Sequence, residues 1–176
     1  RFPTGPLVSY GYAGEVLLPV EIRVPARLDQ REVRIAARVD WLECLEICLP
    51  GRAEVSLTLP VRATARPGPD AAAFAEARAR LPRADPGWRF SAARAGLSLA
   101  LALRPPRGAA LADAYFFATT PRLLDYAKPQ ALERTRTGYR LLLARDPNGD
   151  APVRLTGVLV VTEQGRRRAL AIDVGL

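Results

Sequence analysis

The chain has 176 residues, 49% hydrophobic and 25% charged, which fits one globular domain or two small ones and excludes a disordered chain. No stretch reaches the roughly 18 uninterrupted apolar residues of a membrane helix, so that kind of span is excluded too. The net charge is +8, but the 25 arginines and one lysine are scattered over nearly every segment. With no basic helix, zinc-finger spacing or aromatic-interleaved basic motif, nucleic acid is not expected as a partner.

The chain opens at Arg1-Phe2-Pro3 with neither an initiator Met nor a signal-peptide pattern, and reads as a piece of something longer. Alternation dominates the first third. Val16, Leu18, Val20, Ile22 and Val24 fall on one face, with Glu15, Glu21 and Arg23 on the other. Val33, Ile35, Ala37, Val39 and Trp41 alternate with Glu32, Arg34, Ala36, Arg38 and Asp40, and Val55, Leu57 and Leu59 alternate with Glu54, Ser56 and Thr58. A period of two predicts half-buried antiparallel strands, with Val33, Ile35, Val39, Trp41, Leu57 and Leu59 in a core and Arg34, Arg38 and Glu54 in water.

Cys44 and Cys48 lie on the connection between the second and third of these strands, before the Pro50-Gly51 break. They are the only cysteines, and the chain has no His and no Met. A disulfide requires Cα atoms roughly 4.4–6.8 Å apart, whereas four residues of extended strand span about 13 Å. If the pair is bridged, the chain turns between the two. Closing so short a loop removes little unfolded-state entropy, and a bridge that stabilises little is the kind most easily reduced. Redox chemistry is therefore the preferred reading. Two buried free thiols, or a pair holding a soft ion such as Cu(I), are the alternatives. A zinc site needs a second pair of ligands, which this chain lacks, so no metal is expected. Cys44 follows directly on a strand and is expected to be the more buried, leaving Cys48 as the attacking thiol. Glu43 and Glu46 would raise a thiolate's pKa if they lay close to it.

Pro67-Gly68-Pro69 ends the strand pattern, and Asp70 is a plausible N-cap for a short linker helix over Ala71 to Leu81 that Pro82 stops. Beyond Trp88 a second β-rich region begins. Its strands are predicted around Leu97 to Leu103, Asp113 to Phe117, Tyr139 to Leu143, Val153 to Val161 and Arg168 to Val174. Asp146-Pro147-Asn148-Gly149-Asp150 and Gln164-Gly165 supply the turns. Tyr115-Phe116-Phe117 reads as core rather than as a ligand platform, and Arg166-Arg167-Arg168 as a solvated charge cluster at a hairpin turn. Without His no Ser/His/Asp arrangement exists, and no Gly-rich phosphate loop follows a strand.

The run Tyr10-Gly11-Tyr12-Ala13-Gly14-Glu15-Val16-Leu17-Leu18-Pro19-Val20, then Trp41-Leu42-Glu43-Cys44-Leu45-Glu46-Ile47-Cys48-Leu49-Pro50, then Ala53 to Leu59, resembles the extracytoplasmic N-terminal region of the DsbD and ScsB family of thiol:disulfide interchange proteins. It is closer to the ScsB branch, whose cysteine spacing and following Ile/Leu-Pro it shares. Ala127-Lys128-Pro129-Gln130-Ala131-Leu132, Gly157-Val158-Leu159 and Ala169-Leu170-Ala171-Ile172-Asp173 extend the resemblance over most of the chain.

The resemblance implies an all-β fold of two immunoglobulin-like antiparallel β-sandwich modules joined by the linker. The expected division is a redox module over residues 1–63, a linker over 64–86 and a second sandwich over 87–176. It implies that Cys44 and Cys48 form a redox pair, with the second cysteine attacking the partner. Reducing equivalents would pass from a membrane-embedded electron-transfer domain of the same parent protein to thioredoxin-like periplasmic proteins, with no organic cofactor. The family shields its pair with an aromatic residue ahead of the first matched strand, a role that would fall to Phe2, with Tyr10 and Tyr12 as neighbours. The family also has strands ahead of the point where this sequence begins. The rival readings are a non-catalytic β-sandwich adaptor with an inert bridge and a Cu(I)-handling module.

Overall fold

The computed structural model describes residues 2–4, 7–44 and 47–176. In chain order the elements are β1 (Phe2–Thr4), β2 (Leu7–Ser9), β3 (Glu32–Cys44), β4 (Cys48–Pro60), α1 (Ala71–Arg80), β5 (Arg89–Ala95), β6 (Ser98–Arg104), β7 (Leu111–Ala118), β8 (Ala131–Thr135), β9 (Gly138–Ala144), β10 (Arg154–Glu163) and β11 (Arg166–Gly175). The chain falls into two compact units, residues 1–17 with 77–176, and residues 18–76. The boundaries expected at 63 and 87 fall elsewhere in this division.

The larger unit holds the sandwich. One sheet runs β5-β6-β9-β8 and the other β11-β10-β7, with every ladder antiparallel. Alternation decides what each sheet buries. Leu99, Leu101 and Leu103 of β6 and Leu141 and Leu143 of β9 face Phe116 of β7, Leu159 and Val161 of β10 and Leu170 and Ile172 of β11 across one core, and Trp88 closes it. Leu97, expected to share the β6 face, lies exposed in the β5–β6 turn, where the ladder has ended. The β10–β11 turn is tight because Gln164 and Gly165 both take positive φ, the geometry that matches strand twist in a two-residue hairpin.

Sequence patterning passed over β5 and β8, whose Arg, Ala, Ser, Glu and Thr residues carry little apolar alternation. β7 is an edge strand, and the Gln130 side chain serves as its missing neighbour: the backbone N–H of Phe116 donates to Gln130 Oε1 at 2.7 Å, and Gln130 Nε2 donates to the Phe116 carbonyl at 2.9 Å. Phe116 is fully buried as expected. Tyr115 and Phe117 correct that expectation, because the alternation turns them onto the opposite, half-buried face of β7.

The smaller unit contains one sheet, the β3–β4 hairpin, paired without a shift from Glu32↔Pro60 to Cys44↔Cys48. Val33↔Leu59, Ile35↔Leu57, Ala37↔Val55, Val39↔Ala53 and Trp41↔Gly51 share one face, as the alternation predicts, and Arg34, Arg38 and Glu54 are exposed on the other. The expected burial is not there. Val33 and Ile35 are half-buried, while Val39, Trp41 (45%), Leu57 (57%) and Leu59 are exposed. Two strands have no second layer to bury a face against, and no further strand of this unit lies among the described residues.

The strand expected over Val16 to Val24 is absent for a related reason. Its residues enter no ladder and most are exposed, and alternation selects a face only where a neighbouring strand takes the backbone hydrogen bonds. The linker helix forms as expected at Ala71–Arg80, beginning where the Phe74 N–H donates to the Asp70 carbonyl and ending before Pro82.

Candidate functional site: the disulfide at the tip of a hairpin

β3 and β4 run antiparallel for thirteen residues each, and their last pair is Cys44↔Cys48. The strands approach because Val33, Ile35, Val39 and Trp41 of β3 alternate in step with Val55, Leu57 and Leu59 of β4, and the ladder carries the pairing to the tip. There Cys44 and Cys48 are joined by a disulfide with their Cα atoms 4.1 Å apart. The turn that a bridge demands is present, and the hairpin supplies it. Leu45 and Glu46, between the two cysteines in sequence, lie outside the described residues.

The period of two assigns the neighbours. Cys44 and Cys48 share a face with Leu42 and Pro50, and one step further with Asp40 and Arg52. Arg52 Nε donates to Asp40 Oδ1 at 2.5 Å, and Arg38 Nε lies 3.2 Å from Asp40 Oδ2. The sulfurs thus stand at the end of the polar face, four residues along each strand from an exposed ion-pair cluster. Pairs this open contribute little stability, so their effect on the site is to keep this face hydrophilic.

The opposite face carries Trp41 against Gly51. A Cβ on Gly51 would lie 2.3 Å from the Trp41 ring, so the glycine is what lets the indole lie across β4 near the tip. Glu43, ladder partner of Leu49, belongs to that other face and is exposed, so the closeness on which a push on a thiolate depended is not met on the sulfurs' face. Sequence reading missed the Asp40–Arg52 pair and the Trp41–Gly51 fit. Each is visible only when position 40 is set opposite 52 and 41 opposite 51, an inference open to anyone who counts outward from Cys44↔Cys48.

Both cysteines are exposed, so burial does not rank them and the expected burial of Cys44 is not found. The flanking tip is also open, with Leu42 68% and Ile47 71% exposed. Phe2, Tyr10 and Tyr12 belong to the other unit. Tyr10 is built into an aromatic cluster there: its hydroxyl hydrogen-bonds that of Tyr115 at 2.5 Å, and its ring meets Phe117 and Tyr126 edge-on at 5.3 and 5.1 Å. Phe2 lies beside Gly11, and Tyr12 is 70% exposed. Among the described residues no helix is long and apolar enough to cross a membrane.

No family model and no curated protein matches the sequence significantly. Among solved structures, the chain is similar to the N-terminal periplasmic domain of ScsB from Proteus mirabilis, with a TM-score of 0.55 and 18% identity. The likeness covers 84% of this chain and 59% of that one, so this chain spans rather more than half of the structure it matches. At that identity the likeness is one of fold. The resemblance read from the residues and the likeness between the structures meet at one point: this chain has the all-β, immunoglobulin-like fold of the ScsB N-terminal periplasmic domain.

Proposed function

We propose that this chain is an extracytoplasmic thiol–disulfide exchange domain, a protein-disulfide reductase module. It takes reducing equivalents from a membrane-embedded electron-transfer domain of its parent protein and passes them to oxidised, thioredoxin-like periplasmic proteins. The observation that carries this reading is the place of the Cys44–Cys48 bond, between ladder partners at the exposed tip of a long hairpin. The ladder from Glu32↔Pro60 onward holds the two residues together, so breaking the bond releases no fold. A loop this short contributes only about 2 kcal/mol by chain entropy even without that ladder. Exposed bonds that stabilise little are the ones that exchange.

In the reduced domain, one thiolate attacks a sulfur of the partner's disulfide. A bond forms between the two proteins, the partner's bond breaks, and its displaced sulfur takes up a proton. The second thiolate then attacks the domain's sulfur in this mixed disulfide. The Cys44–Cys48 bond re-forms and the partner leaves as a dithiol, having gained two electrons and two protons. A dithiol of the membrane domain reduces the pair again by the reverse sequence. Cys48 is assigned the attack and Cys44 the resolution, on the strength of the family resemblance.

Trapping tests this. Cys44→Ala protein mixed with an oxidised thioredoxin-like protein is expected to accumulate a covalent complex, visible on a non-reducing gel and dissolved by reductant. Trapping by Cys48→Ala alone would reverse the roles, and trapping by neither would favour the inert-bridge adaptor. The reduction potential is an independent check, since an exchange-active pair lies well above about −300 mV and a structural one below it.

A further inference from the structure

The charge of this protein is divided unequally between its units. Residues 18–76 carry eight Arg against nine Asp and Glu, net −1, while residues 1–17 with 77–176 carry eighteen Arg and Lys against nine Asp and Glu, net +9. The sandwich therefore holds all of the chain's excess positive charge. Within it, folding collects arginines that are far apart in sequence.

Arg89 at the start of β5 is the ladder partner of Arg104 at the end of β6. Beside Arg104 the β8–β9 turn brings in Arg136, since Leu103 pairs with Tyr139 and Thr135 with Gly138. Arg107 lies in the loop that leaves β6 for β7. At the same pole the second sheet contributes Arg166 and Arg167 from the β10–β11 hairpin, because Leu111, the first residue of β7, pairs with Glu163, and its N–H donates to the Tyr139 hydroxyl across the core. All six arginines are exposed, and none is in an ion pair among the described residues. Of the nearby carboxylates, Asp85 is already paired with Arg168, which leaves Asp113 and Glu163.

We propose that this pole is a docking surface for an anionic phospholipid membrane. Guanidinium groups match phosphate oxygens in geometry and charge. The pole is formed by turns and strand ends of both sheets. The sandwich's cavity, lined by Thr120 to Leu123 and Asn148 to Arg154, opens at the opposite end. Residues 77–176 expose no aromatic side chain, so the turns and strand ends of the pole itself present no platform on which bases of a single-stranded nucleic acid would stack. Repeated, unpaired positive charge spread over turns and strand ends suits a planar anionic surface. The proposal does not depend on the redox reading, and its failure would leave that reading untouched.

Co-sedimentation of the full chain with vesicles tests it. At about 0.15 M salt, where exposed charges act over roughly 8 Å, binding is expected to phosphatidylglycerol–phosphatidylcholine vesicles and not to phosphatidylcholine alone. The variant Arg104→Gln/Arg107→Gln/Arg136→Gln/Arg166→Gln/Arg167→Gln is expected to bind at least about a hundredfold more weakly, since a basic residue at such a surface is worth about fivefold. A charge-matched variant of the other unit, Arg23→Gln/Arg27→Gln/Arg31→Gln/Arg62→Gln/Arg66→Gln, is expected to bind within about threefold of the parent. Should the five-fold pole variant fold poorly, Arg166→Gln/Arg167→Gln alone is expected to lose more than about tenfold. Equal losses in the two matched variants would reduce the effect to net charge and overturn the proposal, as would no binding by the parent chain. Millimolar glycerol phosphate abolishing the binding would point to a discrete phosphate site and overturn it, and so would tighter binding to single-stranded DNA than to vesicles under the same conditions.

Discussion

Cys44 and Cys48 are held face to face by backbone, and the chemistry proposed for them needs little else from their surroundings than access. Access is what an aromatic screen would control. Tyr10 is committed to the Tyr115–Phe117–Tyr126 cluster, which leaves Phe2 and Tyr12, both exposed, as the rings proposed for such a screen. If one of them screens the pair, Phe2→Ala or Tyr12→Ala should speed reduction of the disulfide by a small thiol several-fold without changing its potential, and unchanged rates in both would remove the aromatic screen from the proposal. Within the cluster, burial pushes the Tyr126 phenol above its usual value, and neighbouring Tyr115 adds to the shift. The folded state thus keeps a proton that the unfolded chain gives up first, so this contribution is intact below about pH 10 and lost as the pH rises through the folded value. Thermal midpoints should fall above that pH, and Tyr126→Phe should make the fall shallower.

At the scale of elements, the same alternating pattern leads to two outcomes. In β6 and β9 it places leucines between two sheets, where Leu99, Leu101, Leu103, Leu141 and Leu143 lose all contact with water. In β3 and β4 an equally regular pattern leaves Leu57 and Leu59 exposed, because their sheet has two strands and one layer. Leu101→Ala should therefore destabilise the sandwich by about 2–5 kcal/mol. Leu57→Ala should change stability by no more than about 0.5 kcal/mol. Comparable losses from chemical denaturation of the two variants would mean that the hairpin face is covered in solution. Hairpin pairing and register were legible in the residues, since Val33, Ile35 and Val39 alternate in step with Leu59, Leu57 and Ala53. Burial was not, because a strand's pattern says which side is apolar and nothing about whether a second layer exists.

At the scale of the molecule, the disulfide and the main core belong to different compact units. Reduction should accordingly be felt locally. Hydrogen exchange is expected to show β6, β9 and β10 as the most protected strands in both redox states, with faster exchange after reduction confined to the ends of β3 and β4 beside the cysteines. Loss of protection in β9 or β10 on reduction would mean that the bridge supports the whole fold, as an inert structural staple would.

The residues alone determined the all-β class, the linker helix, the hairpin between Glu32 and Pro60, and the isolation of the chain's only two thiols at its tip. These follow from local periods, from breakers such as Pro67-Gly68-Pro69, and from composition, each a property of neighbours in the chain. Only the tertiary structure decided that Phe116 turns inward while Tyr115 and Phe117 turn out, and that Gln130 completes the edge of β7. The same holds for arginines that look scattered from 89 to 167 yet share one pole of the sandwich. Antiparallel pairing brings together strand ends separated by dozens of residues, and no local pattern in the chain records which ends those are.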